Sequence, residues 1–359
     1  MFKKLLGDPI PTLTLPLKGK EIGCNDFNNI MVHFQMKIGI TYDLRDDYLA
    51  AGFTDEETAE FDSPETIAAI AGALQSLGFE TERIGNIRML APRLVAGERW
   101  DLVFNIAEGL KGAGREAQIP ALLEAWDIPC VFSDPLVLSL TLHKGMTKRV
   151  IRDLGIPTAD FAVIETMAEA EALQMAFPLF AKPVAEGTGK GITAASKIID
   201  KKQLAHVCSA LLTQFQQPVL VESFLPGREF TAGIIGTGAE AYVPAVMEVL
   251  FTDKAKQDIY SYENKEEWKG RIEYRLGEDD VAAAAAKTAL AAWRGLGCRD
   301  GGRIDLRTDA AGVPNFLEVN PLAGLRPGHS DLPILCDLAG MHYQELISGI
   351  VHSAMKRLR

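Results

Sequence analysis

Two carboxylates, an amide and an arginine recur at alternate positions near the end of the chain. In RIDLR (Arg303–Arg307), Arg303 and Asp305 share one face of a strand, and Ile304 and Leu306 the other. Thr308–Pro314 carries the Asp, Gly and Pro of a turn. Asn315–Asn320 then reads as the return strand. Its Leu317 and Val319 are expected on the core face, with Glu318 and Asn320 opposite. If the strands pair, one surface collects Arg303, Asp305, Glu318 and Asn320. Hard oxygen donors at this density suit Mg²⁺, which takes few protein ligands and leaves the rest of its shell to phosphates and water. The alternative is a half-exposed hairpin with solvated charges. Asp and Asn are poor strand residues, so their place there asks for a reason.

Two further stretches carry chemistry. KPVAEGTGKG (Lys182–Gly191) sets Gly187, Gly189 and Gly191 around Thr188, directly after Glu186. Such a run frees backbone N–H groups to surround phosphate oxygens, although it is neither a P-loop nor a dinucleotide fingerprint. It reads either as a plain hairpin turn or as a flap over a triphosphate, with Lys182 at the strand end reaching phosphate. VLVESFLPGRE (Val219–Glu229) reads as a strand ending in a carboxylate, then a linker. It is either a domain hinge or a nucleotide wall, with Glu222 accepting from an exocyclic amine and Glu229 holding ribose hydroxyls. Lys144, Lys148 and Arg149 sit on one predicted helix. Helical surface lysines are usually solvated, so Lys148 and Arg149 are set aside.

The elements that must hold these residues follow from periodicity. Lys37–Tyr42, Phe79–Ile84, Asp101–Ile106 and Pro129–Phe132 read as strands, with helices over Pro64–Leu77 and Arg115–Trp126 between them. That alternation predicts an α/β unit on a parallel sheet over residues 36–134. Its strand-end loops, Asp43–Glu60 and Ala107–Gly114, should line a crevice. A smaller α+β unit is expected over 135–221. It has helices over Lys144–Leu154, Met167–Met175 and Lys202–Phe215, and strands at Phe161–Ile164, Pro178–Lys182 and Ile192–Ala195. The last unit, 222–359, should hold strands at Phe230–Ile235 and Ala241–Val249, an alanine-rich helix over Asp280–Leu296, the hairpin, and a helix over Gln344–Arg357.

The bulk numbers bound the partners. The chain has 359 residues, 47% of them hydrophobic, enough for two or three packed domains. Net charge is −11 and no Lys/Arg-rich run occurs, which argues against nucleic acid and anionic membranes. Five scattered cysteines without a CxxC point to reduced thiols in a cytoplasm. No apolar run reaches spanning length. Residues 1–35 lack periodicity and read as a loose extension, with Met36 a candidate natural start.

The order KPVAEGTGKG, VESFLPGREF, RIDLRTDAAGVPNFLEVNPLAG resembles the ATP-grasp superfamily, and more closely the D-alanine–D-alanine ligases, from Met36 to the C-terminus. The resemblance implies a three-domain ATP-grasp fold. It also implies an ATP-dependent carboxylate–amine ligase that forms a dipeptide for peptidoglycan of the cell wall, with small amino-acid substrates and a homodimeric assembly. Residue by residue, it gives phosphate contacts to Lys144 and Lys182 and the flap to Glu186, Gly187, Thr188 and Gly189. Adenine contacts fall to Glu222 and Leu225, and a ribose contact to Glu229. It gives a γ-phosphate contact to Lys265, two Mg²⁺ ions (Mn²⁺ as substitute) to Asp305, Glu318 and Asn320, and oxyanion donors to Arg303 and the Gly324 N–H. Ser330 would hold the second amino acid's carboxylate.

The amino-acid pocket departs from the family. YDLRDDYLAAG replaces the glycine loop after the first strand, leaving Glu60 or Glu65 as the acid nearest the first substrate. AEGLKGAGREAQ stands where a histidine–glycine pair is expected, Glu266 where a tyrosine is, and Thr188-Gly189 where a serine pair is. Asp331 either caps the following helix or places negative charge near the expected carboxylate site. A ligase for another pair of substrates and an ATP-binding protein without catalysis are the alternatives.

Overall fold

The computed structural model describes residues 35–251 and 272–358. The expectations for residues 1–34 and for the polar stretch 252–269, Lys265 and Glu266 included, lie outside the described residues.

The first sheet is parallel. Strand β1 (Lys37–Thr41) lies between β2 (Glu80–Gly85) and β3 (Leu102–Asn105). Helix α1 (Arg45–Ala50) falls inside the stretch expected as loop. Helix α2 (Pro64–Ser76) starts as expected: the Ser63 hydroxyl accepts from Thr66 N–H, and Pro64 occupies the first turn. An unforeseen helix α3 (Ile87–Val95) follows β2. The expected helix at Arg115 is a 3₁₀ turn, Arg115–Ala117, continued by α4 (Gln118–Glu124). The strand expected at Pro129–Phe132 is reduced to one bridge, Val103 to Cys130. Phe132 has φ +76° and gives its N–H to Asp300 Oδ2 at 2.8 Å, which takes it off the ladder.

Helices α5 (Pro135–Leu142) and α6 (Lys144–Asp153) lead to an antiparallel sheet in the order β4-β7-β5-β6. Its strands are β4 (Phe161–Ile164), β5 (Leu179–Pro183), β6 (Lys197–Ile198) and β7 (Val219–Ser223). Helix α7 (Met167–Ala172) is shorter than expected, because Leu173 turns extended. Helix α8 (Lys201–Phe215) buries Leu204, Val207, Cys208 and Leu211. No strand forms at Ile192–Ala195. Thr188, Gly189 and Gly191 are left-handed (φ +53°, +71° and +73°) and wind the run into tight turns. A 3₁₀ turn over Ala194–Ser196 then delays the pairing partner to β6.

The last sheet is antiparallel, β10-β9-β8-β11-β12. It comprises β8 (Glu229–Ile235), β9 (Val246–Phe251), β10 (Ile272–Leu276), β11 (Gly301–Thr308) and β12 (Pro314–Asn320). Strand β9 starts at Val246 rather than Ala241, because a 3₁₀ turn at Gly238–Glu240 leaves Tyr242 only a bridge to Ile235. Helix α9 (Asp280–Leu296) lays Ala285, Ala289, Ala292 and Trp293 on one face. Helices α10 (Asp331–Leu338) and α11 (Tyr343–Met355) complete the chain. The two strands pair as expected, and the register sets Arg303 opposite Asn320 and Asp305 opposite Glu318. A bulge after Asp305 then sets Leu306 opposite Phe316. Leu317 is therefore the extra residue: Phe316 takes the core position, and half-buried Leu317 turns into a cleft. No described helix is long and apolar enough to cross a membrane.

Candidate active site

On the inner face of the hairpin, Arg303 pairs with Asp305, both buried. Asp305 Oδ1 accepts from the Thr231 hydroxyl of β8 at 2.9 Å, and Asn320 Nδ2 lies 3.5 Å from its other oxygen. Burial pushes Asp305 up, Arg303 opposes, and Glu318 adds to the rise. Glu318 lies 3.6 Å from Lys144 Nζ and 3.8 Å from Lys182 Nζ. Among the described residues no three His, Cys, Asp or Glu side chains converge as a metal site. The donor set here is two carboxylates and an amide, which fits a cation that keeps water and phosphate in its shell.

Two cavities meet at this face. One, about 100 Å³, lies against Lys182, Glu222, Leu225, Glu229 and Leu317. The other, about 230 Å³, reaches Glu60, Gly324, Ser330 and Asp331. Both are lined by Lys144, Glu186, Thr188, Arg303 and Glu318. The glycine run and the hairpin carboxylates thus share one cleft.

Lys148, expected as a solvated helical lysine, is not exposed. It is fully buried, 2.7 Å from Glu222, and donates to the Phe316 carbonyl at 3.3 Å. Lys182 lies 3.2 Å from the other Glu222 oxygen. Burial alone would raise Glu222, but Lys148 and Lys182 outweigh it and hold the carboxyl low. Glu222, to which the resemblance gives an adenine contact, is thus engaged by two ammonium groups and lines the 100 Å³ cavity. Lys144 and Lys148 are four residues apart on α6 and so share a face, a signal that was available. Glu229 ion-pairs with Arg307 at 3.0 Å, yet burial pushes it up to about 7.

The glycine run is held down from the first sheet's side. Glu60 Oε1 accepts from Gly187 N–H at 2.6 Å, and Oε2 lies 3.2 Å from Lys190 Nζ and 3.1 Å from Arg115. Arg115 also donates to the Ala185 carbonyl at 2.8 Å. Burial opposes the Glu60 charge, but Arg115 and Lys190 hold its pKa below the ordinary value. Lys144 donates to the Glu186 carbonyl, and Glu186 pairs with Lys190 at 2.9 Å. Of the two candidate acids, Glu60 faces the cleft; Glu65 is exposed on the first turn of α2.

A family model described as "D-ala D-ala ligase C-terminus" matches residues 150–352. A D-alanine–D-alanine ligase of Bordetella petrii is 35% identical over 272 residues, covering 74% of this chain and 79% of its own. The chain belongs to the D-alanine–D-alanine ligase family. An uncharacterised protein of Sinorhizobium fredii, y4sG, is 30% identical over 303 residues, 80% of this chain and 87% of its own. Among solved structures, the ATP complex of the Bacillus anthracis D-alanine–D-alanine ligase matches with TM-score 0.66 at 20% identity, over 89% of this chain and 98% of that one. The VanG D-Ala:D-Ser ligase of Enterococcus faecalis matches with TM-score 0.68 at 19% identity, over 89% and 99%. These likenesses give the ATP-grasp fold.

The 230 Å³ cavity is closed on one side by Gly324, Ser330 and Asp331. Gly324 is exposed, and a Cβ there would lie 2.8 Å from Ser330 Oγ. Ser330 Oγ accepts from Arg326 N–H at 3.1 Å. Asp331 does not cap α10. Ser330 holds the cap position, and the buried Asp331 side chain lies 3.6 Å from Arg303 Nε and accepts from the Tyr274 hydroxyl at 3.3 Å. Burial works against the Arg303 charge, but Asp305 and Asp331 more than restore it.

Proposed function

We propose that the protein joins a carboxylate to an amine at the expense of ATP, through an acylphosphate, as in D-alanine–D-alanine ligation for cell-wall peptidoglycan. The observation that carries this reading is the single cleft shared by two buried lysines, the glycine run and the hairpin carboxylates. An oxygen of the acid attacks the γ-phosphorus, ADP leaves, and the acylphosphate forms. Phosphoryl transfer asks mainly for positioning and charge neutralisation. Lys144 and Lys182 are suited to that role, since both ammonium groups face Glu318. Glu186 to Gly189 would cover the phosphates, and Leu225 and Glu229 the nucleoside. The amine then attacks the acyl carbon and gives up a proton. The carbon–oxygen bond to phosphate breaks, and an amide and free phosphate remain. Arg303 and the Gly324 N–H are the donors for the oxyanion, each such group worth roughly 3 kcal/mol. Ser330 would orient the amine substrate. Asp305, Glu318 and Asn320 would hold Mg²⁺, two ions with Mn²⁺ as a substitute, which when bound neutralises developing phosphate charge.

The Glu60 clasp supports exclusion of water, since it fastens the glycine run over the cleft. Homodimerisation is part of the proposal and is read by light scattering. The test of function is phosphate release from ATP over single and paired amino acids. Release with D-alanine alone supports the family reaction. Bound ATP with silence across a broad panel refutes ligation.

A further inference from the structure

The 230 Å³ cavity holds more negative charge than a pair of alanines needs. Of the seven lining carboxylates, Glu186 has Lys190, and Glu318 has Lys144 and Lys182. Glu60 has Arg115 and Lys190. Asp331 has Arg303 and Tyr274. Asp62 has the Thr66 hydroxyl beside it but no cation at ion-pair distance among the described residues. The Glu108 and Glu116 side chains have no hydrogen bond or ion pair among the described residues; Arg115 acts on both and Lys144 on Glu116 from farther off, and neither offsets their burial. Of the lining cations, Lys144 and Arg303 serve the phosphate side, Arg45 is held by Asp55 at 3.1 Å, and Arg326 is exposed. Among the described residues, three carboxylates on one wall therefore lack a cation at ion-pair distance.

A dipeptide-forming pair of simple amino acids retains one ammonium group after the amide forms. One carboxylate matches it, and two are left over in a largely enclosed site, where uncompensated charge is costly. We propose that one of the two substrates carries a second, non-reacting cationic group, an alkylammonium or guanidinium as in a diamino acid or a diamine, seated among Asp62, Glu108 and Glu116. This rests on the ligase reading above. Supporting it, burial pushes Asp62 and Glu116 up to about 7. Burial also pushes Glu108 well above the usual range, with Glu116 and Glu60 adding repulsion. Such carboxylates lack a cation that a ligand would supply. A neutral aliphatic side chain would leave all three with no cation in direct contact among the described residues.

The test measures phosphate release from ATP with D-alanine plus one compound from length-matched pairs: lysine against norleucine, ornithine against norvaline, and putrescine against butylamine, the amino acids in both configurations. The cationic member is expected to show at least a tenfold higher kcat/KM, and the amino-acid and amine arms tell a diamino acid from a diamine. Glu116→Gln and Glu108→Gln should each pull that ratio toward one. A ratio within one preparation does not move if part of the protein is unfolded. Equal or better turnover of D-alanine alone or of the neutral members overturns the inference and leaves the ligase reading standing. Silence with every pair, while ATP still raises the melting temperature, overturns ligation and the substrate class with it.

Discussion

Replacing Lys148 with Met keeps most of the side-chain volume and removes one ammonium from the buried trio with Glu222 and Lys182. Deleting one partner of a buried ion pair costs about 3–5 kcal/mol. Lys182 remains 3.2 Å from Glu222, so the lower end applies. The Phe316 carbonyl loses a donor but keeps the Thr158 hydroxyl at 2.8 Å, so nothing is added there. The expected loss is about 3 kcal/mol near neutral pH. The sign with pH follows from Glu222. Its pKa is held low in the fold, so its stabilisation is present above the unfolded carboxylate value and is lost as pH falls through the folded one. The deficit of Lys148→Met should therefore be full near neutrality and shrink below about pH 4. Urea unfolding of both proteins across pH measures it. The Michaelis constant for ATP should rise as well, because Lys182 is left as the sole counter-charge of Glu222. A neutral-pH difference under about 1 kcal/mol, or one that does not shrink in acid, would refute the assignment of Lys148 as an obligatory partner.

Other changes read other parts of the site. Asp305→Asn should preserve the circular dichroism spectrum and lower metal-dependent phosphate release by on the order of 10³, several kcal/mol of charge stabilisation; near-normal turnover would remove Asp305 from the site. Glu60→Gln should release Gly187 and Lys190, seen as faster amide exchange over residues 186–192. Because Arg115 and Lys190 hold Glu60 low, that clasp in the unaltered protein should persist above the ordinary carboxylate pKa and loosen only as pH falls through the depressed value. Gly324→Ala would set a methyl against Ser330 Oγ; kcat should fall about tenfold or more with little change in melting temperature, and a parallel loss of both would point to packing instead.

The hairpin was legible because a period of two fixes which side chains share a face, and the pairing brings Arg303, Asp305, Glu318 and Asn320 together. The bulge was not legible, since one added residue leaves no compositional mark, and it exchanged Leu317 for Phe316 in the core. The glycine run was readable as a loop but not in its path, because left-handed Thr188 is a choice made by contacts. Lys148 was lost to a sound average about helical lysines; only its spacing from Lys144 argued otherwise. Glu60 and Glu65 could not be separated by type. Ser63 at the helix cap separates them, since it commits Glu65 to the solvent side of the first turn. Asp331 was ambiguous because Ser330 and Asp331 can both cap, and only Arg303 and Tyr274 decide between them.

The last helix, α11, shares its apolar core with the first strand: Leu346, Ile347, Ile350 and Val351 belong to the same cluster as Ile38, Ile40 and Ile70. Gln344 also donates to the Ala73 carbonyl of α2 at 2.9 Å. The opening third of the polypeptide is thus sealed by its closing residues. A ribosome making roughly 5–20 residues per second leaves that early sheet without its cover for on the order of ten seconds or more. Nascent chains stalled before α11 should accordingly bind chaperones and be cut by protease within residues 36–134, and a short C-terminal truncation should damage the N-terminal sheet before it damages the hairpin.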